Sequence, residues 1–429
     1  MGLDNSDCAM TLSNQNDVTI FAETNFRNQH RRFGIKQADR RYHMYILGKT
    51  GMGKTTLMEN MIVSDINKGH GIAVLDPHGD MADRILDCIP AHRTNDVIYF
   101  NPVDIEYPIA FNVLERVRPE LRPVMVSGVL SVFKKLGSEF WGPRMEHVFR
   151  NALLSVVQFP GATLSTVKNI LTDAAFREQI AKRLEDKTLR EFWEVEFASF
   201  DKRQRTEAIW PILNRIGQFL TDPMMRNVVG QKQNRIRFRE VIDRKQILIA
   251  NLSKGRIGED NMMLLGALLI TKLQLAALSR ADIPEYTRSD YFLFVDEAQN
   301  FLTESSASML AEMRKYRLNL ILANQHLDQL DEFSRKAVLG NTGTIISFRL
   351  GAPDAEILQR EFFPILSKEH FLNLPKFHIY LRLVIDGIAS EGFSATTLPS
   401  AASMSANATK IARVSRERYG MVSHGLNTR

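Results

Sequence analysis

Cysteine is almost missing: Cys8 and Cys88 are the two in 429 residues. Two isolated thiols build neither a disulfide framework nor a metal cluster, which excludes small secreted scaffolds and fits a reducing compartment, the cytoplasm by default. Long apolar runs are missing too. The most apolar window, Met262 to Leu278, is broken by Lys272 and Gln274. Its uninterrupted run is well short of the roughly 18 residues of a membrane span, so it reads as a buried helix. At the N-terminus Asp4, Asn5, Ser6 and Asp7 stand where an export signal would carry basic and then apolar residues. No internal repeat is present. Nor is there a large excess of either charge: Lys and Arg outnumber Asp and Glu by six, which permits a polyanionic partner without requiring one.

What is present is ordinary globular material, 44% hydrophobic and 24% charged, in a chain long enough for two domains or for one carrying a large insertion. Residues 1–40 are polar, lack sustained periodicity and end in a basic stretch, Arg27, Arg31, Arg32, Lys36, Arg40 and Arg41, which reads as an arm. From His43 short apolar strands alternate with helices: Met44 to Leu47, Ile72 to Leu75 and Val97 to Phe100. That alternation begins a parallel α/β sheet. Strand signals then give way to helix-length segments over 116–235, an all-helical insertion. They resume at Gln246 to Ala250, Tyr291 to Val295, Leu318 to Ala323, Thr344 to Phe348 and Phe377 to Val384. The expected division is therefore an α/β domain from 41–115 and 236–397, the insertion between its halves, and a flexible tail over 398–429.

Gly48-Lys49-Thr50-Gly51-Met52-Gly53-Lys54-Thr55 matches G-x-x-x-x-G-K-T between a predicted strand and a predicted helix, the context that identifies a phosphate-binding loop. Gly48, Gly51 and Gly53 let backbone N–H groups turn toward phosphate oxygens, and the following helix N-terminus adds its dipole. Lys54 is placed for the β and γ phosphates and the Thr55 hydroxyl for Mg²⁺; Met52 and Thr56 complete the nucleotide-binding set. ATP with Mg²⁺ is the expected ligand. The strand Tyr291 to Val295 ends in Asp296 and Glu297: the first would hold the metal through water, the second polarise the attacking water. The strand Leu318 to Ala323 ends in Asn324 and Gln325, and Gln325 can sense the γ-phosphate. Asp76, after the second strand, has two open readings: nucleotide-site support at the sheet's C-terminal edge, or part of an Asp76-Pro77-His78-Gly79 turn.

Taken together, Asp76-Pro77-His78-Gly79-Asp80 and the Asp-Glu and Asn-Gln strand ends resemble the FtsK/HerA superfamily, most closely its coupling-type conjugation ATPases of the TraG-like kind. Trp141-Gly142-Pro143-Arg144, Asn251 to Arg256 and Met313 to Leu318 support the likeness, which covers roughly residues 33 to 397. It implies a RecA-like P-loop NTPase fold with a helical insertion, assembled as a homo-hexamer that hydrolyses ATP to move DNA in conjugative transfer or type IV secretion. It also implies a neighbour's arginine at the γ-phosphate, with Arg349 as first candidate and Arg314 or Arg317 as alternatives. Lys254 and Arg256, on a glycine-containing loop, could follow DNA phosphates or could be a solvated surface. Coupling proteins usually carry N-terminal transmembrane helices, and none is found here. The chain is thus expected at most peripherally at the inner face of the membrane, with a secretion channel, relaxase or nuclease as partner. A protein-moving secretion ATPase, a repair or genome-packaging translocase, and a scaffold locked by ATP stand as alternatives.

Overall fold

Runs such as Met44-Tyr45-Ile46-Leu47, without polar alternation, suit strands buried on both faces, and such strands belong to parallel sheets flanked by helices. The computed structural model describes residues 17–25, 30–115, 117–137, 139, 141–308, 310–400 and 406–422. Its strands are β1 (Val18–Thr24), β2 (Arg32–Lys36), β3 (Met44–Leu47), β4 (Gly71–Asp76), β5 (Val97–Phe100), β6 (Ile247–Asn251), β7 (Tyr291–Val295), β8 (Leu318–Asn324), β9 (Thr344–Ser347), β10 (His378–Arg382), β11 (Val384–Ile385), β12 (Ile388–Ala389) and β13 (Phe393–Thr397). Eleven form one sheet, in the order β2-β1-β13-β10-β9-β3-β8-β7-β4-β6-β5, and β11 pairs with β12 in a small hairpin. From β9 to β5 the sheet is parallel; from β9 to β2 it is antiparallel. Every residue of β3, β4, β6, β7, β8 and β9 is buried. Because the central strands run one way, the ends of β3, β4, β7 and β8 meet along a single edge, where ligands of such sheets bind.

Between β5 and β6 the described residues contain helices and no named strand. The longest helices there, Arg122–Leu136, Pro143–Val156 and Lys202–Thr221, share one continuous apolar core with a face of the sheet, through helix Glu259–Leu278. That last helix is apolar and long enough to cross a bilayer, but 89% of its 18-residue apolar window is buried within the protein. From Leu264 to Leu278 its side chains are buried all round, as befits a core helix.

Two expectations need correction. The polar N-terminal stretch is not an arm over its described part: β1 and β2 are sheet strands, and Lys36, Arg40 and Arg41 of the basic stretch are tied down, while Arg31 and Arg32 are exposed. Arg40 and Asp65, both fully buried, form a two-pronged ion pair at 2.7 and 2.8 Å, with Thr19 of β1 donating to Asp65. Arg41 pairs with Asp290 and Lys36 with Asp386. Arg27 lies outside the described residues. A register shift between Ile20 and Ala22 interrupts the alternation that would have marked β1 as a strand. The tail is likewise not uniformly flexible: Ala408–Tyr419 is a helix, and Ser415 accepts the Tyr99 N–H of edge strand β5 at 2.9 Å. It covers an edge that would otherwise offer unpaired backbone groups. Only Ile411 and Ser415 of that helix are buried, too narrow a stripe to show in the sequence.

Candidate functional site

The loop 48–55 leaves β3 and enters helix Lys54–Asn67. Gly51 and Gly53 have φ of 76° and 117°, values that L side chains adopt only under strain. A Cβ on Gly48 would sit 2.5 Å from Phe348 Cβ, so that position also demands glycine. The loop is pinned by neighbours: Gly48 N–H donates to Asn324 O and Lys49 N–H to Arg349 O. Lys54, 6% exposed, donates to the carbonyls of Gly48 and Lys49 at 2.5 and 3.3 Å. Burial lowers its pKa, opposed by the nearby Glu297 and Asp296 carboxylates.

Across the cleft, Asp296 and Glu297 are 4% and 6% exposed. Glu297 adopts the left-handed region at φ 47°, a strain of the kind that collects at working sites. Both its oxygens are held: Gln325 Nε2 donates to Oε1 at 2.5 Å and Gln299 Nε2 to Oε2 at 2.7 Å. Thr50 Oγ1 in turn donates to Gln325 Oε1 at 2.8 Å, and Asn324 Nδ2 to Gln299 Oε1 at 2.6 Å. The phosphate loop, the Asp-Glu strand end and the Asn-Gln strand end are thus one hydrogen-bonded unit. Asp76 contributes no oxygen to this unit. Its Oδ1 accepts the His78 N–H and its Oδ2 the Ala82 N–H, both at 2.9 Å, so its carboxylate shapes the turn before helix Asp80–Cys88 while adding negative charge beside Asp296.

Among the described residues no cluster of three or more His, Cys, Asp and Glu side chains could hold a metal by itself. Asp296 fits a metal that phosphates also ligate. Burial, then the Glu297 and Asp76 carboxylates, push it up to about 6, against the pull of Lys54. With the folded value above the ordinary 3.8, the penalty is absent at low pH, grows between about pH 4 and pH 6, and stands in full above that. At about 1.4 kcal/mol per pKa unit it reaches roughly 3 kcal/mol. Asp296→Asn keeps an acceptor for the Glu297 N–H, which Asp296 Oδ1 now receives at 3.0 Å. Melted in EDTA, D296N is expected to be more stable than wild type at neutral pH and equal to it near pH 4; an equal midpoint at both would show that the charge is not buried at a cost.

The remaining residues singled out in the sequence are dispersed. Arg349 leaves β9 beside its own phosphate loop, its carbonyl bonded to Lys49. Arg314 lies before β8, at the opposite edge of the sheet, exposed, with its guanidinium 3.6 Å over the Tyr42 ring. Arg317 is turned inward. The expected mobile loop at Lys254 and Arg256 is instead a helical turn, Lys254–Ile257, fastened by Lys254 N–H to Pro77 O. Lys254 lines a cleft of about 660 Å³ with His78, Glu297 and Gln325, whereas Arg256 is exposed and does not line it.

Residues 30–350 match the family described as the type IV secretion-system coupling protein DNA-binding domain. The chain belongs to this coupling protein family. Solved structures share the fold at low identity. The bacterial conjugative coupling protein TrwB, in an unbound form, is 16% identical over 86% of each chain, with a TM-score of 0.61. TrwB in complex with ADP and Mg²⁺ is 17% identical over 86% of this chain and 87% of that one, at 0.60. VirB4 of Thermoanaerobacter pseudethanolicus is 14% identical over 90% and 97%, at 0.57. No curated protein matches significantly.

Within this coupling protein, some contributors carry no signal in the sequence. Lys135, on helix Arg122–Leu136 of the helical region, donates to the carbonyls of Gln299 and Leu302. Burial lowers its pKa to about 8, opposed by Asp331. It grips the turn that carries Gln299, and through it Glu297, yet a lysine on a helix 162 positions upstream of Glu297 reads as any solvated charge. Gln299 is equally silent, and the Thr50 bond to Gln325 does not follow from the loop motif, since amides and hydroxyls acquire a role only from what they face.

Proposed function

We propose that this coupling protein hydrolyses ATP at the cleft between loop 48–55 and Glu297, in a homo-hexameric ring, and uses the energy to move DNA in conjugative transfer or type IV secretion. The observation that carries the hydrolytic part is Glu297: a buried carboxylate with both oxygens oriented by amides, facing a phosphate loop, is placed to take a proton from water. Backbone N–H groups of residues 51–55, Lys54 and the helix N-terminus bind the phosphates. Thr55 and Asp296 would hold Mg²⁺, which when bound offsets phosphate charge. Gln325, joined to both Thr50 and Glu297, links the loop to the base and is suited to register the γ-phosphate.

For the arginine supplied by a neighbouring subunit, position favours Arg314 over Arg349. Arg314 is separated from its own loop by the length of the seven-residue β8, about 23 Å, and is exposed toward whatever adjoins that edge, whereas Arg349 adjoins its own loop. The family's description as a DNA-binding domain supports DNA as the cargo, with Arg256 and Lys254 as backbone contacts and a secretion channel or relaxase as partner. Steady-state ATPase assays with single-stranded, double-stranded and no DNA test this directly: stimulation by DNA, falling as salt rises, is the expected result. Turnover indifferent to DNA at low salt but raised by a polypeptide would replace the cargo with protein. Sizing with an ATP analogue and DNA tests the ring.

A further inference from the structure

The strand expected over Phe377 to Val384 begins one residue late: β10 starts at His378, and Phe377 stands apart from it. Side chains two apart on a strand share a face, so Phe377 would join Ile379 and Leu381, both fully buried. It does not. Its φ of 67°, an outlier for an aromatic residue, turns the ring out of the core, leaving the residue 39% exposed.

The turn is held from both sides. Phe377 N–H donates to Met52 O of the phosphate loop at 3.1 Å, and its carbonyl accepts the Thr397 N–H at 2.9 Å and hydroxyl at 3.2 Å. The ring lies against the loop so closely that a Cβ on Gly53 would come within 2.7 Å of Phe377 Cδ1. Phe377 and its neighbour Lys376 line, with Lys54, Thr55 and Thr56, a cleft of about 340 Å³. A strained backbone, two anchors and an exposed apolar ring make poor sense as packing. They make good sense as a flat surface offered to a flat ligand.

We propose that Phe377 is the stacking platform for the nucleotide base, purine in preference to pyrimidine because the larger ring system covers more of it; the Lys376 ammonium, 4.8 Å over the ring centroid, yields that face when the base binds. The inference rests on triphosphate binding at loop 48–55 but adds a separate subsite to it. In this arrangement the loop reads the phosphates, common to all nucleotides, and Phe377 supplies the contact that depends on the base.

Binding of Mg-ATP, Mg-CTP and inorganic tripolyphosphate to the full chain, measured by calorimetry for wild type, F377A and F377W, separates the parts. F377A is expected to weaken ATP roughly 10- to 100-fold, to weaken CTP less, and to leave tripolyphosphate unchanged. F377W is expected to retain ATP affinity, with indole emission quenched by ATP and not by tripolyphosphate. Unchanged ATP affinity in F377A, or an equal loss for ATP and tripolyphosphate, would overturn the platform, the second outcome meaning that Phe377 only supports the loop. Wild-type protein that bound none of the three would instead overturn the nucleotide reading on which the platform stands.

Discussion

Glu297→Gln is expected to lower ATP turnover by about 100- to 10,000-fold, the usual contribution of a positioned general base, while nucleotide affinity stays within about threefold. The amide is nearly isosteric but cannot accept a proton. It also alters the hydrogen-bond arithmetic, because Gln325 and Gln299 both donate to Glu297, and a glutamine there presents an NH₂ group to one of them. Gln325 can answer by rotating its amide, since its other partner, the Thr50 hydroxyl, both donates and accepts. The network therefore survives, and the loss reports the proton rather than a collapsed site. Steady-state turnover together with the dissociation constant of a fluorescent nucleotide checks both halves. Turnover equal to wild type would remove Glu297 from the base role.

Lys54→Met should act on the other half, weakening triphosphate binding by at least about 100-fold, as expected for loss of a charge-assisted contact to phosphate. The methionine keeps the apolar stem in its buried channel, so packing is conserved. What disappears is the cation near Asp296 and Glu297. Thermal shift gives a clear measure: a ligand at 100 times its dissociation constant stabilises a fold by about 2.7 kcal/mol. Wild type should show that shift with Mg-ATP and K54M should not. An equal shift in the two proteins would mean that the nucleotide binds elsewhere.

Both substitutions fall on the residues that stand out most clearly in the amino-acid sequence. Residues 48–55, Asp296, Glu297 and Gln325 are recognisable because each follows an unbroken apolar run, and parallel strands bring such ends together by topology alone. Arg349 is located at a strand end by the same logic, though not the direction in which it would serve. The antiparallel flank is hidden for a different reason. Ala22 pairs with Thr397, a contact between residues near opposite ends of the chain, and no local pattern encodes a partner so distant. Phe377 is visible as apolar but reads as strand, since periodicity says nothing about a single backbone angle. Asp76 illustrates a third kind of limit: its two readings differ only in which atoms its oxygens meet, here the amides of His78 and Ala82.

The grip of Lys135 on Gln299 and Leu302 has a thermodynamic consequence. A helix that is bonded to the turn behind the Glu297 carboxylate cannot shift without changing the free energy of that turn. If the two arrangements of the turn differ in their affinity for nucleotide, linkage requires that nucleotide bias the helix by the same amount that the helix biases nucleotide. Strain on the helical region and nucleotide bound at the loop are then coupled, and the Lys135 ammonium is one of the contacts that carries the coupling, beside the shared apolar core.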